Sequence, residues 1–519
     1  MSTARHLLNS QTGVVFVVCV LLVCSLTVNT ALAADLQGFI RIGLQNNLGL
    51  QSLKIEPQIA TEQVRIEAAD FDPEFFVTSD VSDSRTPVTS STSLILSKTR
   101  TVHAEAGIRK TFALGTTSSL ALETDRIDDG SANLDPQYTS ALTVMIQQPL
   151  LRDAGSQTNL AELKVARIQH LQAQYRLAAQ ARDLALQIEL LFYELAAAQQ
   201  LDRLNVQASD LVAELLEGQQ AKLDAGLIPI SDVQEAQTEL AYRQLQQTRS
   251  QLQIESLAFQ LNSLLQLENS DAAGLLSACA QFTFGRPRDM ETFSALYDTA
   301  KKQRFDVKIL ELDAGNQALT RDSLRNQTKP RLDLSLSASI RGVAGDAQTT
   351  AVSGRYLGRW SDSVEDITAH DGHQWAVGLA FSQPWGNTAA KARSREADLR
   401  QRQIDLQQRQ LHDTIKTELQ QRLVTVKRNA EQCDLARRVE SLAAVGLKQE
   451  RQRLDEGLTD TFRVLAFLER MVDARVSLVN ILSEYHKNHA RLNRTLGLNL
   501  QQHGLTAQIA AKEIRFESM

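Results

Sequence analysis

Hydrophobic side chains follow a helical period over most of the chain. The segments 150–228, 230–286 and 385–519 contain no proline, and a proline inside a helix costs about 3 kcal/mol. These segments are rich in Ala, Leu, Gln, Glu and Arg, which lose little side-chain freedom in a helix. The pattern predicts very long helices, including one over residues 158–225 that would extend for about 100 Å.

Shorter segments alternate between apolar and polar residues, which is typical of strands with two different faces. The clearest are "RLDLSLSASIR", "HQWAVGLAFSQP" and "YTSALTVMIQQP", and residues 102–108 alternate in the same way. Each is close to the length of about 9–11 residues that crosses a bilayer as a tilted strand. The side chains that we expect to face lipid are Leu332, Leu334, Leu336, Trp375, Val377, Leu379, Phe381, Leu142, Val144 and Ile146. A soluble antiparallel sheet packed on helices shows the same alternation and is the alternative.

Two such strands in each half of the sequence give four strands per chain. Single-chain barrels start at about eight strands, and open strand edges do not persist in lipid. A chain with four membrane strands must therefore complete a barrel with copies of itself. The segments 75–80 and "TSSLALETDRI" carry a weaker strand pattern, and their state is left open.

The sequence repeats itself after about 230 residues. "KLDAGL" matches "RLDEGL", and the continued alignment places Leu265 on Leu496 and Leu267 on Leu498. Each half has the order helix, strands, long helix, tip and return helix. The predicted organisation is a signal peptide at 1–33, a first repeat at 34–270 with its tip near 226–231, a linker at 271–289, a second repeat at 290–500 with its tip near 457–461, and a C-terminal tail at 501–519.

The first tip contains the residues that stop one helix and start another. Gly226 can adopt the left-handed conformation that ends a helix, and Pro229 prevents the helix from continuing. Ser231 with Gln234 three residues later has the spacing of a capping box. In the second half Gly457 has the stopping position, and Thr459 or Thr461 is the candidate cap.

The N-terminus has the features of a secretory signal, with an apolar run followed by "ALA" at 31–33. Cys24 follows the bulky Val23, which disfavours a lipoprotein signal without excluding it. After cleavage only Cys279 and Cys433 remain, either paired or as two buried thiols. No later apolar run reaches the length of a helical membrane span. A net charge of −6 and a pI near 5.9 argue against a nucleic-acid partner.

Candidate chemical groups are few. His486 and His489 have a spacing that could place two metal ligands on one helix face, but they lie within an apolar stripe that favours a packing role. No set of nucleophile, base and orienting group is visible. The sequence therefore predicts no catalytic residue, no metal site, no cofactor and no enzyme activity.

Five stretches in the same order resemble the TolC-type outer-membrane efflux proteins over nearly the whole mature chain. They are "AADFDPEFFV", "QQPLLRDAG", "AGLIPISDVQEAQ", "RFDVKILELDAGNQALTRDSLRNQTKPRLDLSLS" and "LDEGLTDTFRVLAFLERMVDARVSLVNILSEY". The resemblance implies a mainly α fold with a transmembrane β-barrel portion. It also implies a homotrimer, a twelve-stranded barrel in outer-membrane lipid, and a periplasmic tunnel of paired helices. The implied partners are a periplasmic adaptor (membrane fusion protein) and an inner-membrane pump, and the implied function is passive export of small molecules or polypeptides.

The resemblance also assigns roles to residues at the tips. Gly226, Leu227, Gly457 and Leu458 would contact the adaptor. Asp232 matches an aspartate that in the family closes the tunnel end through an arginine of the second repeat, but Thr459 stands at that arginine's position. Asp232 could reach Arg463 instead, as a candidate periplasmic gate, or favour the start of its own helix through the macrodipole. The rival to the whole interpretation is a soluble periplasmic or secreted coiled-coil scaffold.

Overall fold

The computed structural model describes residues 36–89, 94–130, 133–267, 279, 282–285, 292–350, 352–369, 372–509 and 514–518. The predicted signal peptide and most of the predicted linker lie outside these residues. The helices are α1 (Leu36–Asn46), α2 (Leu48–Leu53), α3 (Glu56–Ala69), α4 (Ser156–Asn159), α5 (Ala161–Asp224), α6 (Ile230–Leu265), α7 (Phe293–Gln303), α8 (Phe305–Asn326), α9 (Trp360–Asp366), α10 (Thr388–Asp455), α11 (Thr461–Leu496) and α12 (Asn499–Gln502). The strands are β1 (Glu74–Thr89), β2 (Leu94–Thr111), β3 (Thr117–Asp128), β4 (Leu134–Pro149), β5 (Arg331–Ala347), β6 (Gly372–Ser382), β7 (Leu505–Ile509) and β8 (Ile514–Ser518).

The described chain is mainly helical, as the sequence predicts. Helix α5 runs for 64 residues and α10 for 68 residues, so the absence of proline from these segments does mark unbroken helices. None of the described helices combines the length and the apolar composition that a membrane span requires.

The chain divides into two compact units. The helical unit comprises the described residues within Met1–Ile55, Gln174–Val307 and Leu411–Met519, and the sheet unit comprises those within Glu56–Ala173 and Lys308–Gln410. Both units draw on both halves of the sequence. One boundary between them lies just before α3, and the other three fall within α5, α8 and α10. The two sequence repeats thus describe the order of elements along the chain, and their boundaries stay a prediction.

The sheet unit contains a six-stranded sheet in which the strands lie in their order along the chain, β1 to β6. Every neighbouring pair is antiparallel. The prediction of four strands is wrong, because both segments left open form strands: residues 75–80 lie in β1, and "TSSLALETDRI" lies in β3. A twelve-stranded barrel made by three chains requires four strands per chain, and this sheet has six.

The helical unit is held together by two apolar clusters. In the larger one, Phe39 of α1 meets Phe192 of α5 edge to face, with ring centroids 5.4 Å apart, and Ile415 and Leu419 of α10 are fully buried. In the smaller one, near the tips, apolar residues of both helical hairpins pack together. Its buried members are Leu204, Ala208, Val212, Leu447, Val464, Leu465, Leu468, Met471 and Val472.

The two return helices end in the same backbone conformation. Gln266 after α6 and Gly497 after α11 both have left-handed φ values, of 52° and 76°. These are the positions between the aligned leucines of the two halves. The predicted tail after residue 500 contains the β7–β8 hairpin.

Candidate functional site: the strand sheet and the hairpin tips

One face of the six-stranded sheet carries an apolar row that crosses all six strands. Directly paired residues share a face, and the pairing connects each strand to the next along this row. Its members, from β1 to β6, are Phe75, Ile108, Leu120, Val144, Ala338 and Trp375. We call this side the apolar face, and its exposure is what distinguishes it from a packed sheet.

The predicted lipid-facing residues all lie on the apolar face. Those of β6 are the most exposed: Trp375 is 73% exposed and Leu379 is 69% exposed. Leu336, Val144 and Ile146 are exposed to smaller extents. Leu332, Leu334 and Leu142 are half-buried. Their role against lipid stays a prediction.

The opposite face of the sheet is polar. The ring nitrogen Nδ1 of His103 lies 2.7 Å from Oδ1 of Asp125 in the neighbouring strand, and Asp80 pairs with His103 from the other side. Glu105 and Glu123 are paired across β2 and β3 on this face. Glu105, Glu123 and Asp125 thus lie on the face opposite the apolar row, whereas Arg126 of β3 lies on the apolar face, where it pairs with Val102.

The long segment between β5 and β6 folds back onto the sheet. Its helix α9 packs onto the apolar face. It lies at one end of β3, β4 and β5, and Arg331 of β5 and Ser382 of β6 lie at the other end of the sheet. The indole nitrogen of Trp360 donates to Oγ1 of Thr124 at 2.7 Å, and the hydroxyls of Ser140 and Ser363 lie 2.8 Å apart. A Cβ on Gly342 would lie 2.2 Å from the carbonyl oxygen of Ser363, so this close approach requires glycine.

The first tip joins α5 to α6 and stops the helix as predicted. Gly226 has a φ of 73°. The amide of Leu227 donates to the carbonyl of Lys222 at 2.9 Å, and the amide of Gly226 donates to that of Leu223 at 2.8 Å. These two bonds form a Schellman motif.

The start of α6 differs from the prediction. The helix begins at Ile230 with Pro229 at the cap position, and no side chain caps it. The predicted capping box of Ser231 and Gln234 is wrong because Ser231 already lies inside the first turn. Its hydroxyl donates to Oδ1 of Asp232 at 3.1 Å.

The second tip joins α10 to α11 with the same stopping geometry. Gly457 has a φ of 72°, and the amide of Leu458 donates to the carbonyl of Arg453 at 2.8 Å. The cap of α11 is Asp460, whose side chain accepts from the amide of Arg463 at 2.9 Å. The expectation that Thr459 or Thr461 is the cap is therefore wrong.

A buried carboxylate that sequence reasoning missed lies inside the second tip. The side chain of Glu450 in α10 is 5% exposed, and its Oε1 lies 3.1 Å from Nε of Arg463. The same oxygen accepts from the hydroxyl of Thr459 at 2.6 Å, and Oε2 lies 3.4 Å from Nη1 of Arg453. We call these four residues the Glu450 clamp. No local motif marks it, because Glu450 and Arg463 lie on opposite sides of the turn.

The clamp bears on the candidate gate pair of Asp232 and Arg463. Within the chain, Arg463 pairs with Glu450, and Asp232 accepts a hydrogen bond from the adjacent Ser231. A link between Asp232 and Arg463 stays a prediction about the assembled protein.

The sequence stretch "RFD" at the start of α8 forms a charge cluster in the helical unit around the buried Arg304. Arg304 donates to Asp306 at 2.7 Å and to Glu418 of α10 at 3.1 Å, and Glu418 also accepts from the hydroxyl of Thr495 at 3.0 Å. Burial lowers the pKa of the Arg304 guanidinium, but its hydrogen bonds to Asp306 and Glu418 outweigh burial and hold that pKa above its usual value. Burial likewise raises the pKa of Asp306, and the bond to Arg304 outweighs it and holds that pKa below its usual value. The cluster ties α8, α10 and α11 together.

Cys279, Cys433 and His486 pack inside the helical unit. Cys279 and Cys433 are both free and buried, and burial raises the pKa of the Cys279 thiol to about 12. His486 lies among Tyr193, Phe284 and other aromatic rings, at centroid distances near 5.4 Å. These contacts agree with packing and not with a paired metal site.

No protein-family model matches the sequence, and a search of curated proteins also finds no match. Solved structures do match. A membrane protein from Pseudomonas aeruginosa has a TM-score of 0.61 at 15% identity, covering 89% of this chain and 90% of its own. The CmeC outer membrane channel of Campylobacter jejuni has a TM-score of 0.59 at 15% identity, over 89% and 86% of the two chains. The outer membrane protein VceC of Vibrio cholerae has a TM-score of 0.59 at 15% identity, over 89% and 96%.

The chain has the fold of outer-membrane channels. The same fold is found in the outer-membrane channel OprN and in the MtrE outer membrane channel of Neisseria gonorrhoeae. The resemblance to TolC-type proteins is thus confirmed at the level of the outer-membrane channel fold, over about nine-tenths of the chain.

Proposed function

We propose that the chain is one protomer of a passive trimeric outer-membrane channel, the outer component of a tripartite efflux or secretion system. The observation that carries the proposal is the apolar row that crosses all six strands while remaining exposed on one face. A soluble sheet buries such a row against helices, and an exposed apolar surface of this extent marks an interaction surface. Lipid suits it, because the opposite face is polar and charged, as a channel lining is.

Self-assembly follows from the state of the sheet. Strands β1 and β6 are its two edges, and their unpaired backbone groups cannot be left unsatisfied in lipid. Copies of the same chain provide complementary edges, and the resemblance to TolC-type proteins suggests three copies.

The hairpin tips are the proposed docking surface for the adaptor. Leu227 is 74% exposed and Leu458 is 63% exposed, and Ile230 and Phe462 next to them are similarly exposed. Exposed apolar side chains at hydrogen-bonded turns suit a protein partner. The adaptor, in turn, would connect the channel to an inner-membrane pump. A passive conduit requires no reacting group, so we do not assign an enzyme activity.

Cell fractionation tests the localisation. We expect the protein in the outer-membrane fraction, as a trimer that resists detergent until it is heated. Recovery as a stable monomer from the soluble periplasm would support the scaffold interpretation and overturn the proposal.

Paired substitutions at one glycine test the docking role of the tips. A Cβ on Gly457 would meet no atom within 4 Å, so Gly457→Trp places its bulk outside the tip. We expect this variant to form trimers but to export poorly in cells. Gly457→Asn is the control, since Asn tolerates the left-handed conformation and should export normally. Normal export by the Trp variant would contradict adaptor contact at this tip.

A further inference from the structure

The six strands form one uninterrupted sheet, and this limits which of them can meet a neighbouring copy. Strand β3 pairs along its length with β2 on one side and with β4 on the other. Strand β2 is likewise occupied by β1, which pairs with it from Glu74 to Thr89. Only β1 and β6 offer a free edge among the described residues of this sheet.

Strand direction permits closure with all six strands and excludes closure with five. Because each strand runs opposite to the one before it, β2 and β6 run in the same direction, whereas β1 and β6 run in opposite directions. A barrel closed through β2 and β6 of adjacent copies would need a parallel junction. Closure through β1 and β6 keeps every junction antiparallel, as in known outer-membrane barrels. Closure through β3 and β6 would also be antiparallel, but β3 is already paired on both sides.

Both edges expose apolar side chains near the proposed junction, and β6 also lacks charge, whereas β1 carries charges and a proline farther along its length. Phe75 and Val77 of β1 are 71% and 64% exposed, and β6 exposes Trp375, Leu379 and Phe381 at 63% or more. Strand β6, with the sequence GHQWAVGLAFS, contains no Asp, Glu, Lys or Arg. Soluble proteins protect strand edges with charges or prolines, so an edge without charge indicates a strand that is covered after assembly.

We propose that three copies close an eighteen-stranded barrel, in which β1 of each copy pairs with β6 of the next. The proposal rests on the trimeric channel proposed above and changes its pore. A barrel grows in diameter roughly in proportion to its strand number, so this pore is wider than one built from four strands per chain.

The register within the sheet suits a closed barrel. The apolar row begins at Phe75, near the start of β1, and reaches β6 at Trp375, several residues before its end at Ser382. The row therefore shifts along the strands by about one residue per strand. A barrel with eight strands and a shear of eight has the same ratio of shear to strand number, and its strands tilt by about 36°. If the Glu74 and Ser382 ends stay level, Val77 of one copy lies opposite Leu379 of the next.

Cysteine cross-linking in outer-membrane preparations tests the junction. Residues directly opposite in a sheet have Cα atoms about 4.5–5.5 Å apart, which suits a disulfide. We expect oxidation of the double variant Val77→Cys/Leu379→Cys with copper phenanthroline to link most chains into covalent dimers and trimers. A reductant should return these species to single chains. Val77→Cys with Val377→Cys or with Phe381→Cys covers a register shifted by two residues. The native Cys279 and Cys433 are buried and can remain.

The matched control moves the cysteine from β1 to β3. Leu120 lies on the same face and is 47% exposed, so Leu120→Cys/Leu379→Cys should give no link between copies. A link from Leu120, or native trimers in which none of the β1–β6 pairs forms a link, overturns the eighteen-stranded barrel and leaves the channel proposal standing. The absence of any trimer overturns the channel proposal itself.

Discussion

The two hairpin tips end one helix with the same device and begin the next with different ones. Gly226 and Gly457 have nearly identical φ values and the same pair of backbone hydrogen bonds. The first tip restarts at Pro229 without a side-chain cap, whereas the second has the Asp460 cap and the Glu450 clamp. The end of the first helix is thus set by backbone geometry that both tips share. The start of the second helix is supported by side chains that only the second tip possesses.

The largest difference between the tips should come from the clamp. Glu450→Ala removes a buried carboxylate with charge-assisted bonds, each worth about 1.5–3 kcal/mol. We expect amide hydrogen exchange in the second tip to accelerate on the order of 100-fold, while the first tip keeps its rate. Glu214→Ala is the control, since Glu214 pairs with Arg451 on the surface and such pairs contribute about 0–1 kcal/mol. Unchanged exchange in the second tip of Glu450→Ala would show that the clamp is dispensable.

Substitution of either tip glycine should lower stability by a similar amount. Gly226→Ala and Gly457→Ala each force a side chain into the left-handed region at a cost of about 1–2 kcal/mol, and neither Cβ meets another atom. Thermal unfolding and local exchange of the two variants should therefore shift by similar amounts. A markedly larger effect at one tip would contradict the equivalence of the two stops.

The helix caps should separate the tips again, by a smaller amount. Asp460→Ala removes the acceptor for the Arg463 amide and should cost about 1 kcal/mol, visible as faster exchange of that amide. Ser231→Ala in the first tip should have little effect, because its hydroxyl contacts only Asp232. Asp460→Asn retains a capping side chain and should behave like the unmodified protein. Equal losses in the two alanine variants would argue that Ser231 also caps its helix.

The smallest predicted effect concerns the candidate gate pair. If Asp232 acts on the macrodipole of its own helix, Asp232→Asn should cost about 0.3–1 kcal/mol. A double-mutant cycle with Arg463→Gln in the trimer should then show a coupling below about 0.5 kcal/mol. A larger coupling would support the gate pair in place of the helix-start role.

The sequence was sufficient for features that depend on local spacing. The absence of proline predicted the long helices α5 and α10. The positions of Gly226 and Gly457 predicted where α5 and α10 end. Clean alternation predicted β5 and β6. In β3 the same alternation was harder to recognise because Ala121 lies on the polar face and Arg126 lies on the apolar face.

Features that depend on contacts between distant residues were missed. Ser231 fits a capping pattern that would start the helix at Asp232, but the helix starts two residues earlier, at Ile230, so Ser231 lies in the first turn and not at the cap. Glu450 lies in a charged stretch that reads as a solvated helix face. Its burial becomes visible only when the turn brings Thr459 and Arg463 back against it.

The uncharged edge of β6 has a thermodynamic consequence. Because its backbone groups find partners only in another copy, the folding of this sheet cannot be separated from association. Its denaturation midpoint should then rise with protein concentration, and no single unfolding free energy belongs to the isolated polypeptide.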